Sequence, residues 1–244
     1  SKSIIYPHDP ISSTSYRLIS LPGVVDTISV RSIASGIQKI DWKMFADNGL
    51  LESYLVEFSQ DHSLATGNGY WFIKKDNLTI PPSQIELRLP TLSSDATYSI
   101  SLHHRWNIIA NPFEKEMAWS AICDVNGLPP STKLYAYSGS FETMEKLESF
   151  SGYYFFNDTN QTHLKTLKMP YPFGSTIQSV NSSMNETTMD WKMQLSFESD
   201  INKDPENYVG VAGMAKIGYD KMENHKPPLF LDQGFLYFSR PSWD

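Results

Sequence analysis

An internal duplication constrains the fold of this chain more than any other feature of its sequence. Residues 69–73 read Gly-Tyr-Trp-Phe-Ile, and residues 152–156 read Gly-Tyr-Tyr-Phe-Phe. The stretches that precede them match at an offset of ninety positions, which aligns Pro22 with Pro112. A register that persists over about thirty residues predicts two copies of one structural unit.

The alignment also predicts which residues take equivalent places in the two units. At the ninety-residue offset, Phe45 aligns with Tyr135. The loop before the aromatic stretch differs by seven residues, after which Tyr70 aligns with Tyr153. We therefore expect the two units to superpose with these pairs in register.

Each copy predicts the same order of elements: strand, short helix, hairpin, aromatic strand and closing strand. Apolar residues spaced three and four apart predict the helices, over 29–40 and from 117 to the stop signal at Gly127. Asn-Gly at Gly49 supplies the positive φ that a tight hairpin turn needs. The closing strands are predicted at 78–80 and 163–165. A unit this small has little core of its own, so we expect the two copies to pack together.

The predicted fold class is mainly β: two duplicated β-rich modules, each with one short helix, followed by a partial β-sandwich. Proline-rich and serine-rich stretches separate the parts. The predicted divisions are a leader or linker at 1–15, the first repeat at 16–80, a linking strand within 81–97, the second repeat at 98–169 and the partial sandwich at 170–244.

The last region offers few strands for a sandwich. Residues 191–198 alternate apolar with polar side chains and so predict a strand, and the apolar stretch at 234–238 predicts another. An incomplete sandwich leaves strand edges and an apolar face uncovered. We therefore expect a neighbouring subunit or another segment of the parent protein to cover Phe235, Tyr237 and Trp243.

Composition excludes some functional classes. Hydrophobic residues make up 40% and charged residues 19% of the 244, which is typical of a globular protein. The net charge of -7, without a cluster of Lys and Arg, argues against binding to nucleic acid. Apolar runs are far shorter than the roughly 20 residues that a membrane-spanning helix needs, so no span is predicted.

Short motifs follow one another in a fixed order: Tyr-Arg-Leu-Ile-Ser-Leu-Pro at 16–22, Gly-x-Gly-Tyr-Trp-Phe-Ile at 67–73, Trp-Asn-Ile-Ile-Ala-Asn-Pro-Phe at 106–113 and Gly-Tyr-Tyr-Phe-Phe at 152–156. This order resembles the tandem β-rich modules of large secreted surface proteins of Gram-negative bacteria, many of which are exported by the type IX secretion system. Residues 204–243, with Asp-x-x-Asn-x-x-Gly-Val at their start, are similar to the sandwich that commonly follows such modules. The C-terminal sorting domain of those proteins is not in this sequence.

The resemblance implies an extracellular or cell-surface location. It implies no catalytic residues, because such modules are known as architecture rather than as enzymes. It also implies that the chain is a part of a larger protein whose remaining domains hold the export signal.

Four oxygen-bearing side chains at alternate positions suggest a calcium site. Asp200, Asn202, Asp204 and Glu206 have the spacing by which a tight loop surrounds Ca²⁺. The loop lacks the sixth-position glycine of an EF-hand, and Val211 stands where that motif has its bidentate glutamate. The alternative is an acidic turn between two strands.

Adjacent aromatic residues suggest a sugar-binding surface. Tyr70 and Trp71 in the first copy, and Tyr153 and Tyr154 in the second, carry flat rings on which a sugar could stack. The alternative is that the rings form the core of a sheet. Because neighbouring strand residues point to opposite faces, we expect one exposed ring in each pair.

Other reactive residues fit structural roles better than chemistry. The apolar neighbours of Cys123, the only cysteine, predict a buried thiol rather than a nucleophile. His103 and His104 are adjacent, which predicts a surface pair rather than two ligands of one metal. Two carboxylates brought together by folding could still act as a glycosidase pair. Sequons for N-glycosylation, which predict exposed loops, stand at Asn77, Asn157, Asn160, Asn181 and Asn185.

These observations favour a non-enzymatic extracellular module that is structural or adhesive and belongs to a bacterial cell-surface or secreted assembly. The expected partners are other protein subunits, or the rest of its own parent chain, in contact with 191–244. Two alternatives stay open at this point: a carbohydrate-binding module that takes glycans on exposed aromatic rings, and an accessory region of a secreted hydrolase.

Overall fold

The structure is a computed structural model, and it has the mainly β fold with a short helix that the sequence predicts. It describes residues 2–4, 15–50, 55–76, 78–80, 88–157, 164–172, 190–200, 203–216, 223, 225–228 and 234–238.

The first repeat forms a four-stranded antiparallel sheet, and a separate strand pair adjoins it. Its strands are β1 (Lys2–Ile4), β2 (Arg17–Ile19), β3 (Trp42–Asp47), β4 (Leu55–Glu57), β5 (Tyr70–Lys74) and β6 (Leu78–Ile80). The sheet has the order β2-β5-β3-β4, and β1 pairs with β6. The predicted pairing of β3 with β4 is confirmed, and Gly49 has a φ of 74°. The tight turn is not, because Asp47 pairs with Leu55 and the connection between the strands is therefore longer than predicted.

The second repeat forms a sheet of the same topology. Its elements are β7 (Thr97–Ser101), β8 (Arg105–Ala110), β9 (Met117–Ala118), α1 (Trp119–Asn126), β10 (Leu134–Tyr137), β11 (Phe141–Thr143), β12 (Lys146–Leu147), β13 (Gly152–Asn157) and β14 (Thr166–Pro170). The sheet order β11-β10-β13-β8 repeats β4-β3-β5-β2 strand for strand. Smaller pairs, β9 with β12 and β7 with β14, adjoin it.

The two sheets also share their register. Phe45 pairs with Trp71 between β3 and β5, and Tyr135 pairs with Tyr154 at the same place between β10 and β13. The alignment makes Phe45 equivalent to Tyr135 and Trp71 equivalent to Tyr154, so the duplication is confirmed at the level of individual ladder positions.

Tyrosine hydroxyls fix the loop before the aromatic strand in the same way in both copies. The hydroxyl of Tyr70 accepts the backbone N–H of Ala65 at 2.6 Å. The hydroxyl of Tyr153 accepts that of Glu148 at 2.8 Å, again five residues upstream. Burial removes both phenols from water and raises their pKa, to about 12 for Tyr70. The two loops differ in length, but each ends in the equivalent hydrogen bond.

The predicted helix of the second copy is present as α1. Buried residues line one side of it, including Ile122 and Cys123. Gly127 ends the helix in the left-handed conformation with a φ of 64°, and the N–H of Leu128 donates to the carbonyl of Cys123. A glycine in this conformation is a common helix terminator, as the sequence indicated.

The predicted helix at 29–40 in the first copy is wrong. Only Val30–Ser32 form a helical turn, of the 3-10 type. Gly36 and Lys39 take positive φ values of 99° and 70°, which a right-handed helix does not allow. The side chain of Ile37, counted in the apolar stripe, is 62% exposed. The three-and-four spacing of apolar residues therefore predicted a helix where the structure has an irregular connection.

Two further predictions at the ends of the repeats are corrected. The second closing strand is Thr166–Pro170, and residues 164 and 165 of the predicted strand at 163–165 form no strand, while residue 163 lies outside the described residues. The partner strand β7 was not predicted. Residues 2–4 of the expected leader pair with β6 as a strand. These pairings join segments far apart in sequence, which a local pattern does not reveal. Residues 81–87, which hold most of the predicted linking strand, lie outside the described residues.

Three clusters of buried side chains make up the core. The first lies within the first repeat and the second within the second repeat. The third lies between the repeats and takes side chains from both sheets. We call this third cluster the junction core: Tyr16, Leu18, Trp71, Ile73, Ile108, Tyr135, Tyr137 and Tyr154.

The C-terminal region is an antiparallel hairpin in the part that the structure describes. It consists of β15 (Trp191–Glu198) and β16 (Lys203–Val211). The strand predicted at 234–238 is wrong, because those residues form no strand, although they are described. Tyr237 is 70% exposed, while Trp243 lies outside the described residues.

Candidate functional site

The aromatic rings expected to bind sugar are buried. Tyr70 and Tyr153 point into the cores of their own repeats, and Trp71 and Tyr154 lie in the junction core. None is more than 3% exposed, so the expectation of one exposed ring in each pair is wrong. The alternation is present, but both faces of each sheet are covered. Sugar stacking needs an open ring face, which these four rings do not offer.

The junction core is held by a hydrogen bond between equivalent residues. The indole N–H of Trp71 donates to the hydroxyl of Tyr154 at 2.9 Å, and both side chains are fully buried. The rings lie 6.1 Å apart at 52°. Loss of this bond would leave a buried donor without a partner, which costs about 1–3 kcal/mol of folding free energy. The bond therefore favours one arrangement of the two sheets.

Backbone contacts across the junction are reciprocal. Ile19 forms a bridge with Ser151, and its equivalent Ile109 forms a bridge with Asn68, the equivalent of Ser151. The two modules therefore meet as the subunits of a two-fold symmetric dimer do, with the same patch on both sides.

The hydrogen bonds beside these bridges are reciprocal too. The N–H of Ser20 donates to the carbonyl of Phe150 at 3.2 Å, and that of Ala110 donates to the carbonyl of Gly67 at 2.7 Å. Both acceptors have positive φ, 67° at Phe150 and 82° at Gly67. A phenylalanine in this conformation is strained, so the junction imposes the same backbone shape on both copies.

Two glycines allow the closest approach. A Cβ atom placed on Gly69 would lie 2.9 Å from the Cα of Gly152, and one on Gly152 would lie 3.1 Å from the Cα of Gly69. Any side chain here would meet backbone, which cannot rotate away. The glycines that open both aromatic motifs are therefore explained by the junction.

An imidazolium and a carboxylate add a contact on one side of the junction. His103 Nε2 lies 2.9 Å from the Asp47 carboxylate, and His103 Nδ1 lies 2.9 Å from the His104 carbonyl. Both ring nitrogens face acceptors, so both must donate, which is the charged form of the ring. The hydrogen bond to Asp47 accordingly raises the pKa of His103. The prediction of a surface position holds in part for His103, whose side chain is partly exposed. The prediction did not include its contact with Asp47 of the other module.

A cleft of about 200 Å³ lies beside this pair, between the two modules. Asn107 in its wall uses its whole amide within the protein: it accepts from the His103 N–H and donates to the carbonyls of His103 and Arg105. Asp47 accepts from His103 and from the N–H of Gly49. The side chains of Asn107 and Asp47 therefore serve the fold.

Cys123 is a structural residue. It lies on α1 and is 3% exposed. Burial raises the pKa of its thiol to about 12. A thiolate is the reactive form, so this thiol is inert at neutral pH.

The expected calcium ligands are spread over different elements. Asp200 follows β15, Asp204 and Glu206 lie within β16, and Asn202 is outside the described residues. Both carboxylate oxygens of Asp204 lie 2.6 Å from Lys226 Nζ. Among the described residues, no group of three or more His, Cys, Asp or Glu side chains could hold a metal. Calcium binding stays a prediction, and it would require Lys226 to be displaced.

Lys226 is the residue at this place that the sequence reasoning missed. It brings together Asp204 and Asn207, whose side-chain oxygens it contacts. Asn207 is buried, and its amide group donates to the carbonyls of Leu195 and Asp204. Lysines at a distance of about twenty positions carry no local signal, so only folding reveals this cluster.

One sequon is structural. Asn157 is 2% exposed, and its amide nitrogen donates to the carbonyls of His103 and Leu164 while its oxygen accepts the N–H of Leu164. A glycan needs that nitrogen free and accessible, so the exposed loop expected here is wrong. The asparagines of the other four sequons lie outside the described residues.

Comparison of the chain with family models, curated proteins and solved structures finds no match. Within the described residues, the structure contains no helix with the length and apolar character needed to cross a membrane.

Proposed function

We propose that the chain is a non-enzymatic extracellular module, structural or adhesive, of a bacterial cell-surface or secreted assembly. The observation that carries the proposal is the apolar surface of the C-terminal hairpin. Trp191, Met193 and Val211 are 50%, 49% and 47% exposed. In the ladder, Trp191 pairs with Val211, and Met193 lies two residues along the same face. We call these three residues the hairpin patch.

A contiguous apolar patch favours an interface. Burial of such a patch against a partner is favourable by about 25 cal/mol per Å² of apolar surface removed from water. Within the described residues, each of the two hairpin strands has one strand neighbour, so each has one edge on which no strand pairs with it. Such an edge pairs readily with an added strand. The partner is then another subunit or another segment of the parent protein.

The paired modules suit the role of a rigid support. The junction core packs the two sheets directly against each other. The second module also contacts the C-terminal region: the Tyr135 hydroxyl donates to the His225 carbonyl at 3.2 Å, and the rings of Phe156 and His225 stack at 3.9 Å. The next residue, Lys226, pairs with Asp204 of β16, so a force applied at the hairpin would pass into these contacts.

The experiment is a measurement of mass in solution over a range of concentrations, together with binding of a dye that reports exposed apolar surface. We expect the chain to self-associate or to bind the dye, and the double variant Trp191→Ser, Met193→Ser to lose both properties. Lys192→Ser is the matched control, because Lys192 lies between them on the other face of β15. A dye-free monomer at all concentrations would contradict the proposal.

The exposed ring of Trp191 keeps one alternative open, a carbohydrate-binding module. A glycan array with the intact chain tests it. Binding of one sugar class that is lost in Trp191→Ala, with unfolding unchanged, would favour this alternative over a protein partner.

A further inference from the structure

The residues around Lys226 form a compact group of charged and polar side chains at the border of β16. Lys226 Nζ lies 2.6 Å from each carboxylate oxygen of Asp204 and contacts the side-chain oxygen of Asn207. The N–H of Leu236 donates to the Asp204 carboxylate at 2.9 Å. We call Asp204, Asn207 and Lys226 the lysine cluster.

A β-bulge brings the cluster together. Leu195 pairs with Asn207 and Phe197 with Asp204, so two steps along β15 match three steps along β16. Residues three apart in a regular strand point to opposite faces. The extra residue in β16 turns Asp204 and Asn207 towards the same amine, as bulges commonly do where a side chain must be re-aimed.

The amide of Asn207 is held in one orientation. Its nitrogen donates to the carbonyls of Leu195 and Asp204, which leaves its oxygen facing Lys226. The side chain of Lys226 is 25% exposed and that of Asp204 is 14% exposed. The amine, the amide and a carboxylate thus meet in a site where water is scarce, and a small product can still leave along the lysine.

We propose that Lys226 and Asn207 join in an intramolecular amide bond, with Asp204 as the proton carrier. Asp204 accepts a proton from the lysine ammonium, and the neutral Nζ attacks Cγ of Asn207 to form the Nζ–Cγ bond. Asp204 returns the proton to Nδ2, the Cγ–Nδ2 bond breaks, and ammonia leaves. The remaining ammonium proton leaves with it, so that one ammonium ion is released and nothing is oxidised or reduced.

Proximity increases the rate of this step. An amine held against an amide reacts as if at very high concentration, with effective molarities of about 10⁵ M or more in well-oriented cases. Lysine is a competent nucleophile once it is neutral, and an adjacent carboxylate is the usual means of moving the proton. The bond would tie β16 to the segment 225–228 covalently. This inference does not depend on the proposed function, because it concerns only residues of this chain.

The test is the intact mass of the full chain under denaturing conditions. We expect the mass to be lower than that of the sequence by one ammonia, and a tryptic digest to contain one branched peptide that joins the peptide with Asn207 to the peptide with Lys226. Lys226→Arg and Asp204→Ala should restore the full mass. Lys203→Arg is the matched control and should keep the loss, because Lys203 lies beside the cluster but pairs with Glu198.

Two results would overturn the proposal. The first is a wild-type chain of full mass after prolonged incubation in the folded state, which would show that the cluster is an ion pair only. The second is an ammonia loss that persists in Lys226→Arg, which would place the reaction elsewhere, for example in a cyclic imide at Asn126-Gly127. The wild-type measurement decides the matter even if a variant fails to fold.

Discussion

The two modules are most alike in their sheets and at the contacts between them, and least alike in one connection away from those contacts. Both keep the same sheet order, the same ladder register and the reciprocal contacts at the junction. They differ in the connection from the first strand of the sheet to the hairpin, which is α1 in the second module and a single 3-10 turn with irregular chain in the first.

The difference shows which part of the unit is constrained. A residue at the junction contacts its own equivalent or a near neighbour of it, so a change there affects the packing of both copies. The connection only has to cover one side of its own sheet, and different backbones can do that. We therefore expect substitutions at the junction to cost more than substitutions in the connections.

The largest effect should follow Trp71→Ala. Truncating a fully buried tryptophan leaves a cavity and costs about 3–5 kcal/mol of unfolding free energy. Urea unfolding should show this loss and a separation of the two modules into distinct transitions. Trp42→Ala, a buried tryptophan in the first module's own core, is the matched control and should destabilise that module alone.

Tyr154→Phe isolates the hydrogen bond at the same place. It keeps the ring but removes the hydroxyl that accepts the Trp71 N–H, at a cost of about 1–3 kcal/mol. If Trp71→Ala were tolerated as well as a substitution at an exposed aromatic residue, the junction would not be what holds the modules together.

The junction glycines give the next effect. Gly69→Ala and Gly152→Ala each place a Cβ against backbone of the other module, and overpacking of this kind costs about 1–3 kcal/mol. The two variants should be destabilised to a similar extent, since their contacts are reciprocal. Gly213→Ala is the control, because no atom lies within 4 Å of its added carbon. Equal melting temperatures for all three variants would argue against the close approach.

A smaller effect is expected in the connection of the second module. Gly127→Ala meets no neighbour, so its cost is that of the left-handed conformation alone, about 1–2 kcal/mol. Thermal unfolding should show a loss below that of Trp71→Ala and no separation of the modules. Separate transitions in this variant would show that the connection, too, couples them.

The smallest effect concerns the His103–Asp47 pair, which breaks the symmetry of the junction, since the position equivalent to Asp47 is Tyr137. The folded state raises the pKa of His103, so the stabilisation is complete below the unfolded value of about 6.5. It is lost as the pH rises through the folded pKa. A partly exposed pair of this kind contributes up to about 1 kcal/mol. Unfolding free energy measured against pH should show the loss, and Asp47→Asn should remove it.

The sequence could predict the part of the fold that is repeated and local. Matching motifs located the modules, and Asn-Gly located the first hairpin. Gly127 marked the end of α1. Each of these rests on a conformational preference of the residues themselves, such as the positive φ that glycine accepts. Ladder positions followed from the alignment because equivalent residues in duplicated sheets face equivalent partners.

The sequence could not predict which faces are covered. Alternation in the aromatic strands is compatible with one exposed face. Trp71 is buried because the second module packs against it through Tyr154, and this contact is visible only in the folded structure. The pairing of β7 with β14 and the approach of Lys226 to Asp204 depend on contacts between distant segments. The apolar stripe at 29–40 failed for a related reason, since spacing does not reveal which residues the tertiary structure leaves exposed.

The junction also has a consequence for the kinetics of folding. Its hydrogen bonds connect residues 83 apart, from Trp71 to Tyr154, and 131 apart, from Ser20 to Ser151. Closing so long a stretch of unfolded chain costs much entropy, and this cost falls once each copy has folded and shortened the stretch, so we expect the junction to form after the sheets of the two copies. The junction should therefore be absent from the rate-limiting state of folding, and Tyr154→Phe should speed unfolding while it leaves the refolding rate nearly unchanged. Stopped-flow measurements of both rates would show the order in which a duplicated protein assembles: each copy first, and their union last.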